Sequence, residues 1–269
     1  MERNLRILCL HGHGQRGATL RAKMGSLRKM VKRCDFVFED APHAAPERAG
    51  RGGGGGGQPG GKPAGLSWWE RDSGGVLLSE ASMQASSASL LSVLRRRGND
   101  DGAGGDDGAG FNDEPPFDGI LGFSQGAAMA ALLCDAQARS GERLFRFCCL
   151  FSGFAPLAAS AAAAAAAGRG EGAAGAEGAD AAASGPNEVG ALMELTCDVP
   201  SFHSWGLSDE IIVPARSRAL ADAWGAAGLE AAVAEHGGGH LVSSDRAVRL
   251  AFREFCRARR DEIASEGAA

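Results

Sequence analysis

Pro116-Phe117-Asp118-Gly119-Ile120-Leu121-Gly122-Phe123-Ser124-Gln125-Gly126-Ala127 decides how the rest of this chain reads. The apolar run Phe117–Phe123 predicts a buried strand, and the small-residue stretch Gly126–Arg139 predicts the helix behind it. Between them lies Gly122-Phe123-Ser124-Gln125-Gly126, a G-x-S-x-G match. A serine on such a strand-to-helix turn sits in strained backbone geometry, and the glycines keep neighbouring elements from colliding with it. The turn pushes Oγ out of the sheet and aims the Gln125 N–H, at a helix start, at a developing oxyanion. Five-residue matches arise by chance in a glycine-rich chain, and a plain Gly/Ser turn opening a helix is the simpler reading. The apolar strand on one side and the helix on the other are the context the nucleophile-elbow motif requires.

Working outward from this turn, strands and helices alternate. Leu5–Leu10 reads as a buried strand ending in the glycine-rich turn His11–Gly17. Thr19–Lys32 reads as an amphipathic helix with Leu20, Met24, Leu27 and Val31 on one face. Phe36–Phe38 is a short strand, Ser82–Arg97 a helix, and Leu144–Phe151 a strand. Later come a strand at Pro200–Trp205, a helix at Ala215–Ala226, a strand at Glu230–Glu235 and a last helix at Ser243–Arg260. This order predicts a mostly parallel central sheet with helices on both faces, an α/β-hydrolase fold once the serine turn is included. Ligands of such sheets bind beyond the carboxyl ends of the strands. His11, Ser124, Asp209 and His240 each follow a predicted strand, so all four are expected on that one edge.

The chain has 269 residues, a length suited to a single α/β domain spanning residues 1–269. Its net charge of −5 argues against a nucleic-acid-binding surface, which is normally strongly basic. No apolar run is long enough to span a bilayer. The apolar run Leu5–Leu10 begins too early for a cleavable leader, so an intracellular, cytoplasmic or also nuclear, location is expected. The seven cysteines show neither metal spacing nor a disulfide framework, and they read as small core residues. Glycine, at 41 residues, is concentrated locally. Low-complexity stretches at about 50–65, 98–110 and 158–187 carry too few large side chains to offset chain entropy, so they read as surface insertions.

The residues that would complete a site around Ser124 follow from chain order, which in this fold runs serine, acid, histidine. That order sets aside His11, His13 and His43 and weighs against His203. His236 and His240 remain. His240 follows the flexible turn Gly237-Gly238-Gly239, which can carry an imidazole back over the sheet edge, whereas His236 ends the strand itself and is placed to prop the loop. Asp209 follows the strand ending at Trp205-Gly206 and is the candidate to orient the imidazole, with adjacent Glu210 as the alternative. Asp209 could otherwise simply cap a turn. After the first strand, a His-Gly pair lets the backbone come close to a substrate oxygen. The N–H of His13 is therefore the candidate second oxyanion donor beside that of Gln125.

The chain resembles the FSH-type family of serine hydrolases in the α/β-hydrolase superfamily. The resemblance is carried by Ile7-Leu8-Cys9-Leu10-His11-Gly12, Asp40-Ala41-Pro42-His43, Trp68-Trp69 and the Pro116–Ala127 stretch. It continues through His203-Ser204-Trp205-Gly206-Leu207-Ser208-Asp209-Glu210-Ile211-Ile212-Val213-Pro214 and His236-Gly237-Gly238-Gly239-His240. It implies a Ser124–Asp209–His240 triad, carboxylesterase-like activity on small-molecule acyl esters, and no cofactor. Residue 13, usually aromatic in that pattern, is His here, and residue 16, commonly Asn, is Arg. Trp68 and Trp69 either wall an acyl pocket together with Phe154 or cover the edge of the core. No charged group is obviously placed in the sequence to meet a charged acyl chain, so an apolar acyl ester is the expected substrate. A thioester would suit the same machinery, and a non-catalytic binding protein is the other class to be tested.

Overall fold

A computed structural model describes residues 3–45, 65–70, 79–96, 115–156 and 195–266. The three low-complexity stretches fall largely outside these described residues. Six strands form one sheet: β1 (Leu5–Leu10), β2 (Cys34–Glu39), β5 (Gly119–Phe123), β6 (Phe147–Phe151), β7 (Ser201–Gly206) and β8 (Ala231–His236). Their spatial order is β2-β1-β5-β6-β7-β8, and every neighbouring pair is parallel. Two short strands, β3 (His43–Ala44) and β4 (Leu66–Ser67), make a separate antiparallel ladder. The helices are α1 (Gly17–Lys23), α2 (Gly25–Met30), α3 (Glu80–Arg96), α4 (Gln125–Ser140), α5 (Pro214–Ala226) and α6 (Arg246–Glu266).

The period-two alternation of the strands sorts the apolar side chains into two cores. Leu8, Leu10, Ile120, Cys148 and Leu150 face α3, α4 and α5. Ile7, Cys9, Leu121, Phe123, Phe147, Cys149 and Phe151 face α1, α2 and α6, where Phe202, Phe252 and Phe255 form an aromatic cluster with Phe151. A sheet covered on both faces explains why the central strands read as unbroken apolar runs. All seven cysteines carry free thiols, and five are fully buried.

Local chemistry sets several element ends. Pro214 takes the first position of α5, where a missing N–H costs nothing. Gly141 closes α4 in the left-handed conformation at φ 70°. Asp245 caps α6 by accepting the Ala247 N–H at 2.7 Å, so that helix starts at Arg246 and not at Ser243. The segment expected as one helix over Thr19–Lys32 is broken at Met24, whose ψ of 4° leaves the helical range just before Gly25, a poor helix former. Leu20, Met24, Leu27 and Val31 nevertheless all reach the core as the periodicity predicted. The strand expected at Phe36–Phe38 extends over six residues, because parallel pairing with β1 recruits its polar ends.

At the amino-terminal edge of the sheet, Asp118 locks β1 to β5. Its carboxylate takes both Arg3 guanidinium nitrogens, at 2.6 and 2.5 Å, and the Arg6 backbone N–H at 2.8 Å. That clamp leaves the opposite, carboxyl-terminal edge to carry the loops after β1, β5, β6, β7 and β8.

Candidate active site

Ser124 stands between β5 and α4 with φ 55° and ψ −119°, a strained conformation for a residue with a side chain. The flanking glycines are required by contact. A Cβ on Gly122 would collide with the backbone of Gly126 and Ala127, and one on Gly126 would collide with the carbonyl oxygens of Leu10 and His11. The Ser124 N–H is held by Phe151 O at 2.8 Å, which ties the turn to the end of β6. The first-turn N–H groups of a helix have no intrahelical acceptor, and that of Gln125 is the first of α4.

His240 lies across the sheet edge from Ser124. Its Nε2 is 2.9 Å from Ser124 Oγ, and its Nδ1 is 2.8 Å from Asp209 Oδ2. Its ring packs on Phe123 with centroids 4.9 Å apart. The loop that brings it there is seated on β7. A Cβ on Gly206 would strike the carbonyl oxygens of Gly238 and Gly239, and the Leu207 N–H donates to His236 O at 2.7 Å. His236 turns away from the serine: its Nδ1 accepts the Gly238 N–H at 3.2 Å. It therefore props the loop, as its position at the end of β8 suggested.

Asp209 is buried with both oxygens occupied. Oδ1 accepts the N–H groups of Ile211 and Ile212 at 2.9 Å each, and Oδ2 accepts His240 Nδ1–H and the Ser152 hydroxyl, the latter at 3.0 Å. Burial alone would raise its pKa, but the hydrogen bonds from His240, Ile212 and Ser152 outweigh it and leave the carboxyl below its ordinary range. With Asp209 ionised, the Nδ1 proton belongs to His240, and Nε2 is then the nitrogen that accepts from Ser124. His240 Nδ1 thus meets Asp209, the preferred acid, and not the adjacent alternative Glu210.

The loop after β1 closes the other side. A Cβ on Gly12 would lie 3.0 Å from the Phe123 ring and 3.3 Å from Ser124 Cβ, so only glycine lets this loop press against the serine. His11 anchors it: Nε2 accepts the Ala41 N–H at 3.0 Å, so Nδ1 carries the proton and donates to Gly12 O at 2.8 Å. His13 contacts Ser67 Oγ through Nδ1 at 3.1 Å. The Gln125 side chain is a clamp on the same segment. Its Oε1 accepts the Trp68 N–H at 3.0 Å and its Nε2 donates to Trp69 O at 3.2 Å.

Both tryptophans are buried. Trp68 donates its indole N–H to His11 O at 2.7 Å, and Trp69 meets Phe154 edge to face with centroids 6.4 Å apart. Thus Ser124, Asp209 and His240 come together as a hydrogen-bonded chain, Gln125 follows the serine and holds Trp68 and Trp69, Phe154 packs on Trp69, and His13 meets Ser67 in the loop after β1. Sequence reasoning missed Ser152, because a serine after an apolar strand carries no signal until β6 and β7 are known to be neighbours. It also missed the Gln125 clamp, whose partners lie more than fifty residues away in the chain. Among the described residues no cluster of three or more His, Cys, Asp or Glu side chains could hold a metal ion.

The chain and its parallel sheet have relatives. A family described as serine hydrolase (FSH1) matches residues 1–251. The chain belongs to that family. Esterase OVCA2 of Danio rerio is 30% identical over 258 residues, covering 93% of this chain and 96% of the relative. Esterase OVCA2 of Homo sapiens is 30% identical over 263 residues, with 94% and 96% covered. Solved structures with the same fold include the Bacillus cereus carboxylesterase, with TM-score 0.56 and 15% identity over 95% of this chain and 89% of that one. The Zea mays acyl-protein thioesterase 2 aligns with TM-score 0.54 and 18% identity over 97% and 95%. The protein is therefore a serine hydrolase of α/β-hydrolase fold. No helix among its described residues is long and apolar enough to cross a membrane.

Proposed function

We propose that this family member is a carboxylesterase whose nucleophile is Ser124, with His240 as general base and Asp209 as the residue that orients it. The observation that carries the reading is the position of the His240 imidazole, within hydrogen-bond reach of the serine on one nitrogen and the buried carboxylate on the other. The Ser124 hydroxyl loses its proton to His240 Nε2 as Oγ attacks the ester carbonyl. Asp209 stabilises the imidazolium that results. The backbone N–H groups of His13 and Gln125 receive the negative charge on the carbonyl oxygen. Collapse of the tetrahedral intermediate breaks the ester bond, and His240 returns the proton to the departing alcohol. Water, deprotonated by the same nitrogen, then attacks the acyl carbonyl; the ester bond to Ser124 breaks, the acid leaves, and His240 returns the proton to Ser124 Oγ.

Phe154, partly buried beside Trp69, is the apolar group we assign to the acyl-facing wall, whereas the burial of Trp68 and Trp69 in the core supports a role in covering its edge. The same steps would cleave a thioester, and matched ester and thioester panels separate the two. A fluorophosphonate probe tests the reading most directly. Labelling of the native protein that disappears in Ser124→Ala is expected, and a native protein that does not label would make the fold a non-catalytic binding scaffold.

A further inference from the structure

Arg216 is a buried cation with no carboxylate partner among the described residues. It is the third residue of α5 and is 5% exposed. Its guanidinium carbon lies 4.6 Å above the centre of the Phe154 ring, and Nη2 donates to Ala155 O at 3.2 Å. Its Nε is buried without a hydrogen-bond partner. Among the described residues no carboxylate pairs with it, in contrast to Arg259, another buried arginine, which binds Glu230 and Glu262. Burial pulls the Arg216 pKa down to about 10, still far above neutrality, so the charge persists. A ring face and one carbonyl oxygen do not neutralise a whole guanidinium, and buried charges are normally paired.

The position of this charge says what it is for. Ser217, the next residue, donates its hydroxyl to Gly153 O at 2.8 Å and fixes α5 against the segment that follows β6. In that segment Ser152 holds Asp209 and Phe154 meets Trp69. Trp69 in turn receives the side-chain amide of Gln125, the residue after Ser124. Gln125, Trp69, Phe154 and Arg216 thus form one run of contacts that starts at the residue after Ser124. The Nε–H, which has no partner, and the remaining Nη–H groups are donors suited to a planar carboxylate.

We propose that Arg216 recognises an anionic end of the substrate: the substrate is a half-ester of a dicarboxylic acid, its ester carbonyl passes to Ser124 as the alcohol leaves, and its free carboxylate sits on the guanidinium. This inference rests on the hydrolase reading above and refines its substrate class. The methylenes lie along Phe154, which keeps the apolar wall, but the far end is charged. That differs from the wholly apolar acyl chain expected from sequence, where nothing showed that α5 folds back over residue 154.

The test compares mono-4-nitrophenyl adipate with 4-nitrophenyl hexanoate, esters of equal chain length that differ by the terminal carboxylate. For the native enzyme, kcat/KM on the adipate is expected to exceed that on the hexanoate by about tenfold or more. In Arg216→Met the ratio should fall to one or below, and in Arg216→Lys, which keeps the charge but not the fork, it should lie between. A ratio is insensitive to partial loss of folded protein, and the native ratio stands even where Arg216→Met does not fold. A native ratio at or below one, or a ratio that Arg216→Met leaves unchanged, overturns the proposal while the esterase reading survives. Hydrolysis of neither ester, together with failure to label with a fluorophosphonate, overturns the esterase reading and this proposal with it.

Discussion

The Ser152 hydroxyl and His240 Nδ1 converge on one oxygen of Asp209, at 3.0 and 2.8 Å, and Ser152 does so from a backbone held at φ 46°. The other oxygen is occupied by two backbone N–H groups, so the carboxylate has no freedom to rotate away from the imidazole. A hydrogen bond to a charged group contributes about 1.5–3 kcal/mol. Ser152→Ala is therefore expected to lower kcat on a short 4-nitrophenyl ester about tenfold or more with KM little changed, because Ser152 acts through Asp209. Asp209→Asn should be much worse, by about 10⁴ if the analogy with a protease triad holds. Steady-state kinetics of both variants decide it, and an unaltered kcat in Ser152→Ala would leave this serine a purely structural role.

Ser124→Ala should abolish ester hydrolysis and covalent labelling while preserving the circular dichroism spectrum. In a protease triad the corresponding loss is about 10⁶ in kcat, and the direction should be the same here. Persistent labelling of the alanine variant would place the nucleophile elsewhere.

His240 and His236 sit four residues apart and should behave oppositely. His240→Ala removes the group that touches Ser124, so activity should disappear. His236→Ala removes only the acceptor of the Gly238 N–H, so most activity should remain, with some loss of thermal stability. Kinetics and melting of the two variants side by side would show an exchanged pattern if their roles were reversed.

Gly206→Ala tests how the histidine loop is placed. The added methyl would strike the carbonyls of Gly238 and Gly239, and overpacking of this kind costs about 1–3 kcal/mol. Because the displaced loop carries His240, kcat should fall by more than the loss of folded protein explains. A variant that keeps native kcat would show that the loop relaxes without moving the imidazole.

Acid should destabilise the fold through buried histidines. Burial pushes His203 down to about 3, against an ordinary value of about 6.5. Its ring is packed on Trp224, and its Nε2 meets the Ser201 hydroxyl at 2.9 Å. Between those two values the unfolded chain binds a proton that the folded chain refuses. Stability is thus full above about 6.5 and falls as pH drops, by up to about 1.4 kcal/mol per pH unit from this residue. His11 and His236, both lowered chiefly by burial, act in the same sense. Asp209, lowered on balance by its hydrogen bonds despite burial, adds its loss of stability at lower pH still. Urea unfolding at pH 7 and 4.5 should show the fall, and His203→Gln should flatten it. Equal slopes in both proteins would refute the assignment to His203.

Much of this molecule was legible from its sequence because the relevant physics is local or periodic. Apolar runs at Ile7–Leu10 and Phe147–Phe151 mark strands covered on both faces, and Gly122 and Gly126 around Ser124 mark a turn that no larger residue can make. Chain order and the position of each residue after a strand were enough to choose Ser124, Asp209 and His240 as candidates. The break at Met24 escaped notice because the apolar period continues through it, so that sequence pattern could not register a change in backbone angle. Tertiary structure alone decided the partners of groups distant in sequence. It turned His240 toward Ser124 and His236 toward its own loop, joined Ser152 to Asp209 across adjacent strands, and laid the Gln125 amide against Trp68 and Trp69. It also buried Arg216 over Phe154 with its Nε unpartnered. Composition and periodicity report which face a residue takes, but hydrogen bonding and charge pairing depend on which elements become neighbours. That is settled only when the helices close over the sheet.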